Sequence, residues 1–182
     1  MASIIKANEL QDFNGNAIIT SDGSGNVTVN AAAMKMTPAF EAYGSADQTG
    51  VADNTWTKVN FNTERFDSDS MYDTSTYRFT PTVAGKYYIY SSMAMYSSST
   101  NTLQIPNMAI YKNGSQYIYT PQNYNTTPPP NEVAINISAT VDFNGSSDYV
   151  EIYARGNVTS GTVNFEITSA TGNFGAYKII GV

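Results

Sequence analysis

Histidine and cysteine are both absent from the 182 residues of this chain. Their absence excludes histidine general bases, thiolate nucleophiles, disulfides and every zinc site that needs nitrogen or sulfur ligands. Charged residues are also few, at 13% of the chain, and the net charge at pH 7 is −6. A protein that follows a nucleic-acid backbone needs clustered lysines and arginines. Because the nine here are scattered, we expect no nucleic-acid partner.

Long apolar runs and helical periodicity are missing as well. No stretch approaches the roughly 18 consecutive apolar residues of a membrane-spanning helix, so the sequence predicts no membrane insertion. The polar residues are mainly asparagine, serine and threonine, which favour turns and strands over helices. Short β-branched and aromatic runs recur between glycine, asparagine, aspartate and proline. This pattern is typical of an all-β sandwich or barrel.

The first 36 residues differ from the rest of the chain. Residues 17–20 and 27–29 predict two short strands around a turn, 21–26, whose glycines suit a tight hairpin. An isolated hairpin is marginal in water. We therefore expect this N-terminal arm, residues 1–36, to pair with strands of a neighbouring copy or another protein. Its candidate attachment residues are Ile18, Ile19, Val27 and Val29.

The longest predicted strand, residues 86–96, is largely apolar on both faces. Strand alternation places Tyr87 and Ile89 on one face and Tyr88 and Tyr90 on the other. A strand with one face in water should alternate apolar with charged residues, so its second face needs a cover. Another copy of the chain is the simplest cover. Alternation alone leaves open which of the two faces lies in the core of the sandwich.

A hairpin and a proline-rich loop follow the longest strand. Asn113-Gly114 lies between two strand-like runs and is the strongest hairpin signal in the sequence. Residues 121–131 contain three consecutive prolines, which donate no hydrogen bond to a β-ladder and predict a stiff surface loop. Such loops often contact partners. The candidate contact residues on and beside this loop are Tyr117, Tyr119, Tyr124, Pro128, Pro129 and Pro130.

No motif for metal binding or catalysis stands out. Asp67, Asp69 and Asp73 have a spacing that calcium can use, but the glycine and closing glutamate of an EF-hand loop are missing. A solvated turn is favoured there, and we expect neither a metal nor a cofactor. No serine lies in a Gly-x-Ser-x-Gly context, and acidic residues are too sparse to suggest the paired carboxylates of a glycosidase. The sequence predicts a protein that is not an enzyme.

Aromatic residues are plentiful. The single tryptophan, Trp56, could stack on a sugar ring, but its position at the head of a predicted strand favours core packing. The fourteen tyrosines are too many for one small core. Because tyrosine buries apolar area while keeping a hydroxyl group for hydrogen bonding, it is enriched at protein interfaces. This composition indicates an interacting surface.

Several separate segments follow the order of a known domain signature. They comprise an apolar strand at 60–67, Tyr72-Asp73 with Arg78-Phe79, Pro81 and Gly85 before Tyr87-Tyr88, Lys112-Asn113-Gly114, Asp148-Tyr149-Val150, and Asn173-Phe174-Gly175. In this order they resemble C1q-like domains. The resemblance implies a ten-stranded jelly-roll sandwich of the C1q and tumour-necrosis-factor (TNF) type over residues 37–182, assembled into a homotrimer. It assigns Tyr88, Tyr90 and Ile180 to the trimer interface, and Tyr87 and Ile89 to the core of the sandwich.

The N-terminal arm resembles the anchors of bacteriophage virion proteins, with Asn14-Gly15-Asn16 and the turn at 22–26 as the matching features. Together the two resemblances predict a non-enzymatic virion structural protein. It would be a trimeric knob on the virion surface, as capsid decoration or tail fibre, bound to other virion proteins through residues 1–36. Two alternatives are left open. One is a receptor-binding adhesin that recognises a host-surface glycan or protein through its distal loops, and the other is a secreted bacterial C1q-like protein.

Overall fold

Sixteen β-strands in three sheets form the part of the chain that this computed structural model describes, residues 7–31 and 34–179. The all-β expectation is confirmed. The first sheet belongs to the N-terminal arm and contains β1 (Glu9–Gln11), β2 (Ala17–Ser21) and β3 (Val27–Val29), paired in that order.

The other two sheets pack as a sandwich. The strands of the front sheet are β4 (Ala39–Tyr43), β5 (Gln48–Val51), β7 (Thr63–Asp67), β10 (Gly85–Ser97), β13 (Glu132–Phe143), β15 (Val163–Glu166) and β16 (Asn173–Lys178). They are paired in the order β5–β15–β10–β16–β4–β7, and β13 pairs with β10 as well.

The strands of the back sheet are β6 (Thr57–Lys58), β8 (Tyr72–Asp73), β9 (Arg78–Phe79), β11 (Asn107–Lys112), β12 (Ser115–Tyr119) and β14 (Val150–Arg155). They are paired in the order β12–β11–β14–β9–β8, and β6 pairs with β14 as well.

The core lies between the front and back sheets and is centred on aromatic rings. The Phe40 ring stacks on Tyr72 at 4.5 Å and on Phe79 at 4.6 Å, and meets the edge of Phe174 at 4.9 Å between centroids. The inward residues of the long strand β10 are fully buried beside this cluster, among them Tyr87 and Ile89. Their predicted place in the core is confirmed.

The turn between β11 and β12 is the predicted hairpin. Asn113 and Gly114 both have positive φ, at 52° and 77°. This backbone matches the twist of the flanking strands, and asparagine followed by glycine adopts it at low cost. The hairpin prediction is confirmed.

The strand count differs from the expectation. The sandwich has thirteen strands within residues 34–179 where the resemblance implies ten. Several of the strands are short, such as Thr57–Lys58, Tyr72–Asp73 and Arg78–Phe79. Because alternation needs about four residues to be visible, sequence periodicity does not define such short strands. The arm likewise has a third strand, Glu9–Gln11, which carries two polar residues and gave no strand signal.

The arm contains two turns of the same construction, ten residues apart. In each turn an aspartate, Asp12 or Asp22, accepts hydrogen bonds from the backbone amides two and four residues further on. Its second oxygen accepts the side-chain amide of an asparagine, Asn16 at 2.9 Å and Asn26 at 2.5 Å. These hydrogen bonds stabilise the charged carboxylate and lower the pKa of both aspartates. The arm is thus a short β-meander with a repeated turn.

Tyrosine hydroxyls with a raised pKa limit stability at alkaline pH. Burial raises the pKa of Tyr87 to about 12 and raises the pKa of Tyr72 and Tyr90 above the ordinary value of 10.0. A group whose pKa is higher in the folded state contributes stability that is complete below its unfolded pKa. That stability is lost as the pH rises through the folded value. Since there is no histidine, side-chain titration affects stability little between about pH 6 and pH 9.

We therefore expect the melting temperature to be nearly constant from about pH 6 to 9 and to fall steadily above about pH 10. Thermal unfolding followed by circular dichroism at constant ionic strength measures this profile. A marked fall in melting temperature between pH 6 and pH 9 would contradict the assignment, because no described side chain with a raised or lowered pKa titrates there.

Candidate functional site

The outward face of the front sheet carries three tyrosines in mutual contact, Tyr88, Tyr90 and Tyr177, here named the tyrosine cluster. Tyr88 lies opposite Tyr177 in the pairing of β10 with β16. The ring centroids are 5.5 Å apart for Tyr88 and Tyr177, 6.2 Å for Tyr88 and Tyr90, and 6.5 Å for Tyr90 and Tyr177. All three rings are partly buried in the single chain. The alternation in β10 therefore places Tyr88 and Tyr90 where the sequence predicts, on the face away from the core.

Gly175 makes room for the ring of Tyr90. The two residues lie opposite each other in the β10–β16 pairing. A Cβ atom at position 175 would collide with the Cζ and hydroxyl of Tyr90. Any larger residue here would therefore displace Tyr90 from the cluster.

Charged residues hold the tyrosine cluster on the β4 side. The Tyr90 hydroxyl donates to Oε2 of Glu41 at 2.9 Å, and Arg65 Nε lies 2.9 Å from Oε1 of the same carboxylate. The Arg65 guanidinium also lies 5.1 Å from the ring of Tyr43. Burial, and then the hydrogen bond to the anionic Glu41, raise the pKa of Tyr90. Sequence reasoning missed Glu41 and Arg65, because only the pairing of β4 with β7 brings them together.

On the β13 side the tyrosine cluster borders a shallow depression of about 230 Å³ lined by uncharged polar groups. The Asn173 side-chain oxygen accepts from the Ser92 amide at 2.9 Å and from the Ser92 hydroxyl at 3.0 Å. Exposed Asn136 and Ser138 of β13 line the other wall. Aromatic rings flanked by uncharged polar groups make this face suitable for a protein contact.

The structure separates the tyrosines that the sequence grouped around the proline loop. The Tyr117 hydroxyl donates to the Thr140 carbonyl at 3.2 Å, whereas Tyr119 packs edge-on against Trp56 at 6.1 Å. Tyr124 is partly buried and its backbone amide donates to the Gln104 carbonyl. The loop prolines differ as well: Pro128 is exposed, whereas Pro129 and Pro130 are partly buried. The loop is irregular as predicted, but these residues do not share one set of neighbours.

The arm presents an apolar face. Ile19 lies opposite Leu10 on one side and Val29 on the other, so these three residues share a face with Val27. A depression of about 250 Å³ lies on this face, where Leu10 and Val27 are 56% and 60% exposed. The Ile18 side chain points to the opposite face of the arm, because successive side chains of a strand alternate between the two faces. Ile180, the third residue assigned to a trimer interface, lies outside the described residues.

Trp56 lies outside the core, so its predicted core packing is wrong. It is partly buried on the outward face of the back sheet, with the Tyr111 ring at 6.3 Å and the Arg155 guanidinium at 5.1 Å. The physical reason is that strand β6 begins only after Trp56, so the strand register does not turn its ring inward.

A buried carboxylate organises the same outward face of the back sheet. The Glu151 side chain is 2% exposed, and its Oε1 lies 2.6 Å from Lys58 Nζ and 2.9 Å from Arg78 Nη2. The Arg78 guanidinium lies 3.6 Å above the Tyr149 ring. Two cations thus share one carboxylate, which offsets its desolvation.

The aspartates considered for calcium serve their own loops. Asp67 accepts from the Tyr72 amide at 2.8 Å, and Asp73 accepts from Ser75 and Thr76. The hydrogen bonds from Ser75 and Thr76 lower the pKa of the Asp73 carboxyl group to about 2. Within the described ranges no three acidic residues are grouped as metal ligands. The same part of the chain has no helix with the length and apolar character to span a membrane.

Comparison with solved structures finds proteins of similar fold. The globular domain of zebrafish complement 1qA is 16% identical, with a TM-score of 0.51, covering 78% of this chain and 96% of that domain. The Eiger TNF of S. frugiperda is 12% identical, with a TM-score of 0.58, covering 79% of this chain and 93% of that one. Murine APRIL is 10% identical, with a TM-score of 0.54, covering 78% of this chain and 98% of that one.

No family model matches the sequence, and no curated protein matches it either. At these identities the likeness is one of fold, and it agrees with the two-sheet sandwich described above. The resemblance of the arm to virion anchors stays a prediction. The protein therefore has a jelly-roll fold of the kind found in C1q and TNF domains.

Proposed function

We propose that this chain is a non-enzymatic structural protein whose jelly-roll body, residues 37–182, assembles as a homotrimer through the tyrosine cluster. The observation that carries the proposal is the presence of three contacting tyrosines on the outward face of the central strands. A single sandwich leaves this face in water, and a neighbouring copy would bury it. Obligate interfaces bury on the order of 2,000 to 5,000 Å².

We further propose that residues 1–36 attach this trimer to other proteins of a bacteriophage virion. In the described part of the chain, strands β1 and β3 each have one edge without a partner strand. Unpaired edges can accept a strand from another protein. The exposed side chains of Leu10 and Val27 supply apolar area beside those edges. The protein would stand on the virion surface, as capsid decoration or in a tail fibre.

Deleting residues 1–36 is expected to leave a trimer that no longer joins particles. The sandwich has its own core and the arm strands pair only with each other in the described ranges, so the body should keep its fold. Native mass spectrometry of both forms, together with incorporation into particles, measures the two roles separately. A truncated protein that still joins particles would remove the role assigned to the arm.

A matched pair of point variants tests the apolar face of the arm in the full chain. Val27→Asp places a charge on that face, whereas Phe13→Asp places it in a turn where the side chain is fully exposed. We expect the first variant to lose incorporation and the second to keep it. Equal incorporation of both variants would show that the apolar face does not mediate attachment.

A further inference from the structure

We propose that the outward face of the back sheet holds a binding site for a short acidic saccharide, formed by Trp56, Tyr119 and Arg155. This inference goes beyond the proposed structural role and depends on neither the trimer nor the arm. Trp56 precedes β6, Tyr119 ends β12 and Arg155 ends β14, and the three side chains meet on one aromatic surface.

The aromatic part of this site is assembled across strands. Tyr119 on β12 and Tyr153 on β14 both lie opposite Ala109 of β11, which is fully buried although it faces away from the core. The small alanine side chain leaves room for the larger rings to close over it. Tyr111 stacks on Tyr153 at 4.1 Å, and the Trp56 ring packs against Tyr111 and Tyr119. Tyr119 itself remains 43% exposed.

Arg155 supplies an unmatched cation beside the indole. Its guanidinium lies 5.1 Å from the Trp56 ring, within the range of a cation–π contact. It forms no ion pair with a residue of the described ranges. Its Nε is buried and finds no hydrogen-bond acceptor among them. Buried donors without an acceptor are rare in folded proteins and call for an explanation.

Arg155 is the cation of this face that has no carboxylate partner in the described ranges. Lys58 and Arg78 share the carboxylate of Glu151, and Asp73 lies opposite Arg78 in the pairing of β8 with β9. The Asp53 carboxylate accepts from the Asn157 side chain and the Val158 amide. Arg155 can therefore pair with an anion, although the net charge of the chain is −6.

An acidic sugar fits these features better than the other anions of comparable size. A pyranose ring offers an apolar face of C–H groups to an aromatic ring, and a carboxylate can form paired hydrogen bonds with a guanidinium. Binding sites of this kind combine apolar area with a few converging polar groups. A nucleic acid also has stacking bases, but its many phosphates would be repelled by the net charge of −6. The ligand class is therefore a hexuronic-acid saccharide.

Trp56 is the only tryptophan among fourteen tyrosines, so fluorescence excited at a wavelength that tyrosine does not absorb reports on this site alone. The titrants are oligosaccharides of galacturonic, glucuronic and mannuronic acid. We expect at least one of them to change the fluorescence of Trp56 in a saturable way. The methyl ester of the same saccharide keeps the ring but loses the charge, and should bind at least tenfold more weakly. Binding should also weaken as salt is raised.

Two variants and a matched control test the residues. Arg155→Gln and Tyr119→Ala should each weaken binding about tenfold or more, whereas Lys35→Gln removes the same charge from an exposed site in another part of the chain and should change nothing. Melting temperature and native mass of each variant show that the fold and assembly are retained. If Arg155→Gln lowers the melting temperature, its loss of binding could reflect a damaged fold, and the affinity of Tyr119→Ala then decides the test.

Several results would overturn the inference. These are the lack of a saturable response to all three acidic saccharides, equal binding of the ester, unchanged affinity in both variants, or tighter binding of oligothymidylate than of the sugars. The native mass and the incorporation into particles are measured separately. Failure of this site would therefore leave the structural role intact, and a monomeric protein could still bind sugar.

Discussion

Replacing Tyr88 by lysine is expected to turn the proposed homotrimer into single subunits. The Tyr88 ring lies 5.5 Å from Tyr177 and 6.2 Å from Tyr90, at the centre of the face that we propose is buried between copies. An unpaired charge in a buried interface costs several kcal/mol, and about 1.4 kcal/mol corresponds to a tenfold loss of affinity. Native mass spectrometry at micromolar concentration should show the mass fall to one third of the wild-type value.

Tyr117→Lys is the matched control. Tyr117 is 50% exposed and its hydroxyl contacts Thr140 rather than the tyrosine cluster. The same substitution there should keep the wild-type mass. Tyr88→Phe should also keep it, because the ring remains. A Tyr88→Lys protein with the wild-type trimer mass, or a wild-type protein that is monomeric at micromolar concentration, would refute the proposed interface.

Replacing Phe40 by alanine is expected to destabilise the sandwich by about 3–5 kcal/mol. Its ring contacts Tyr72, Phe79 and Phe174, which come from β8, β9 and β16 in both sheets, and it is fully buried. Removing it takes away the transfer free energy of the ring and leaves a cavity between the sheets. Urea unfolding at one fixed protein concentration should give a lower midpoint with an unchanged slope.

Phe13→Ala provides the comparison for this prediction, because Phe13 is fully exposed in a turn of the arm. Its loss should change the free energy of unfolding by no more than about 0.5 kcal/mol. Equal effects of the two substitutions would place the core elsewhere than between these two sheets.

Local sequence signals predicted the main strands of the sandwich. The longest strand, Gly85–Ser97, extends the predicted 86–96 by one residue at each end, and Asn113-Gly114 joins two strands as the sequence indicated. The alternation of β10 also separated Tyr87 from Tyr88 correctly. These signals are local, since strand alternation and the Asn113-Gly114 turn depend on neighbouring residues only.

The contacts of the two candidate sites could not be predicted in this way. Glu41 reaches Arg65 only through the pairing of β4 with β7, and Arg155 reaches Trp56 across the back sheet. A strand of two or three residues is too short to show an alternation of apolar and polar side chains. The sequence therefore does not indicate which face of the sheet the side chains of such a strand, or of the residue before it, occupy. Trp56 was therefore placed in the core by sequence reasoning and on the outward face by the structure.

The sequence by itself determined that this protein is built of strands, without thiol or imidazole chemistry, and that its longest strand is apolar on both faces. Composition and local periodicity are enough for such conclusions. Only the tertiary structure decided which side chains meet: the tyrosine cluster on the front sheet, and Trp56 with Arg155 on the back sheet. The reason is physical, because strand pairing and register between distant segments are set by the packing of the whole core.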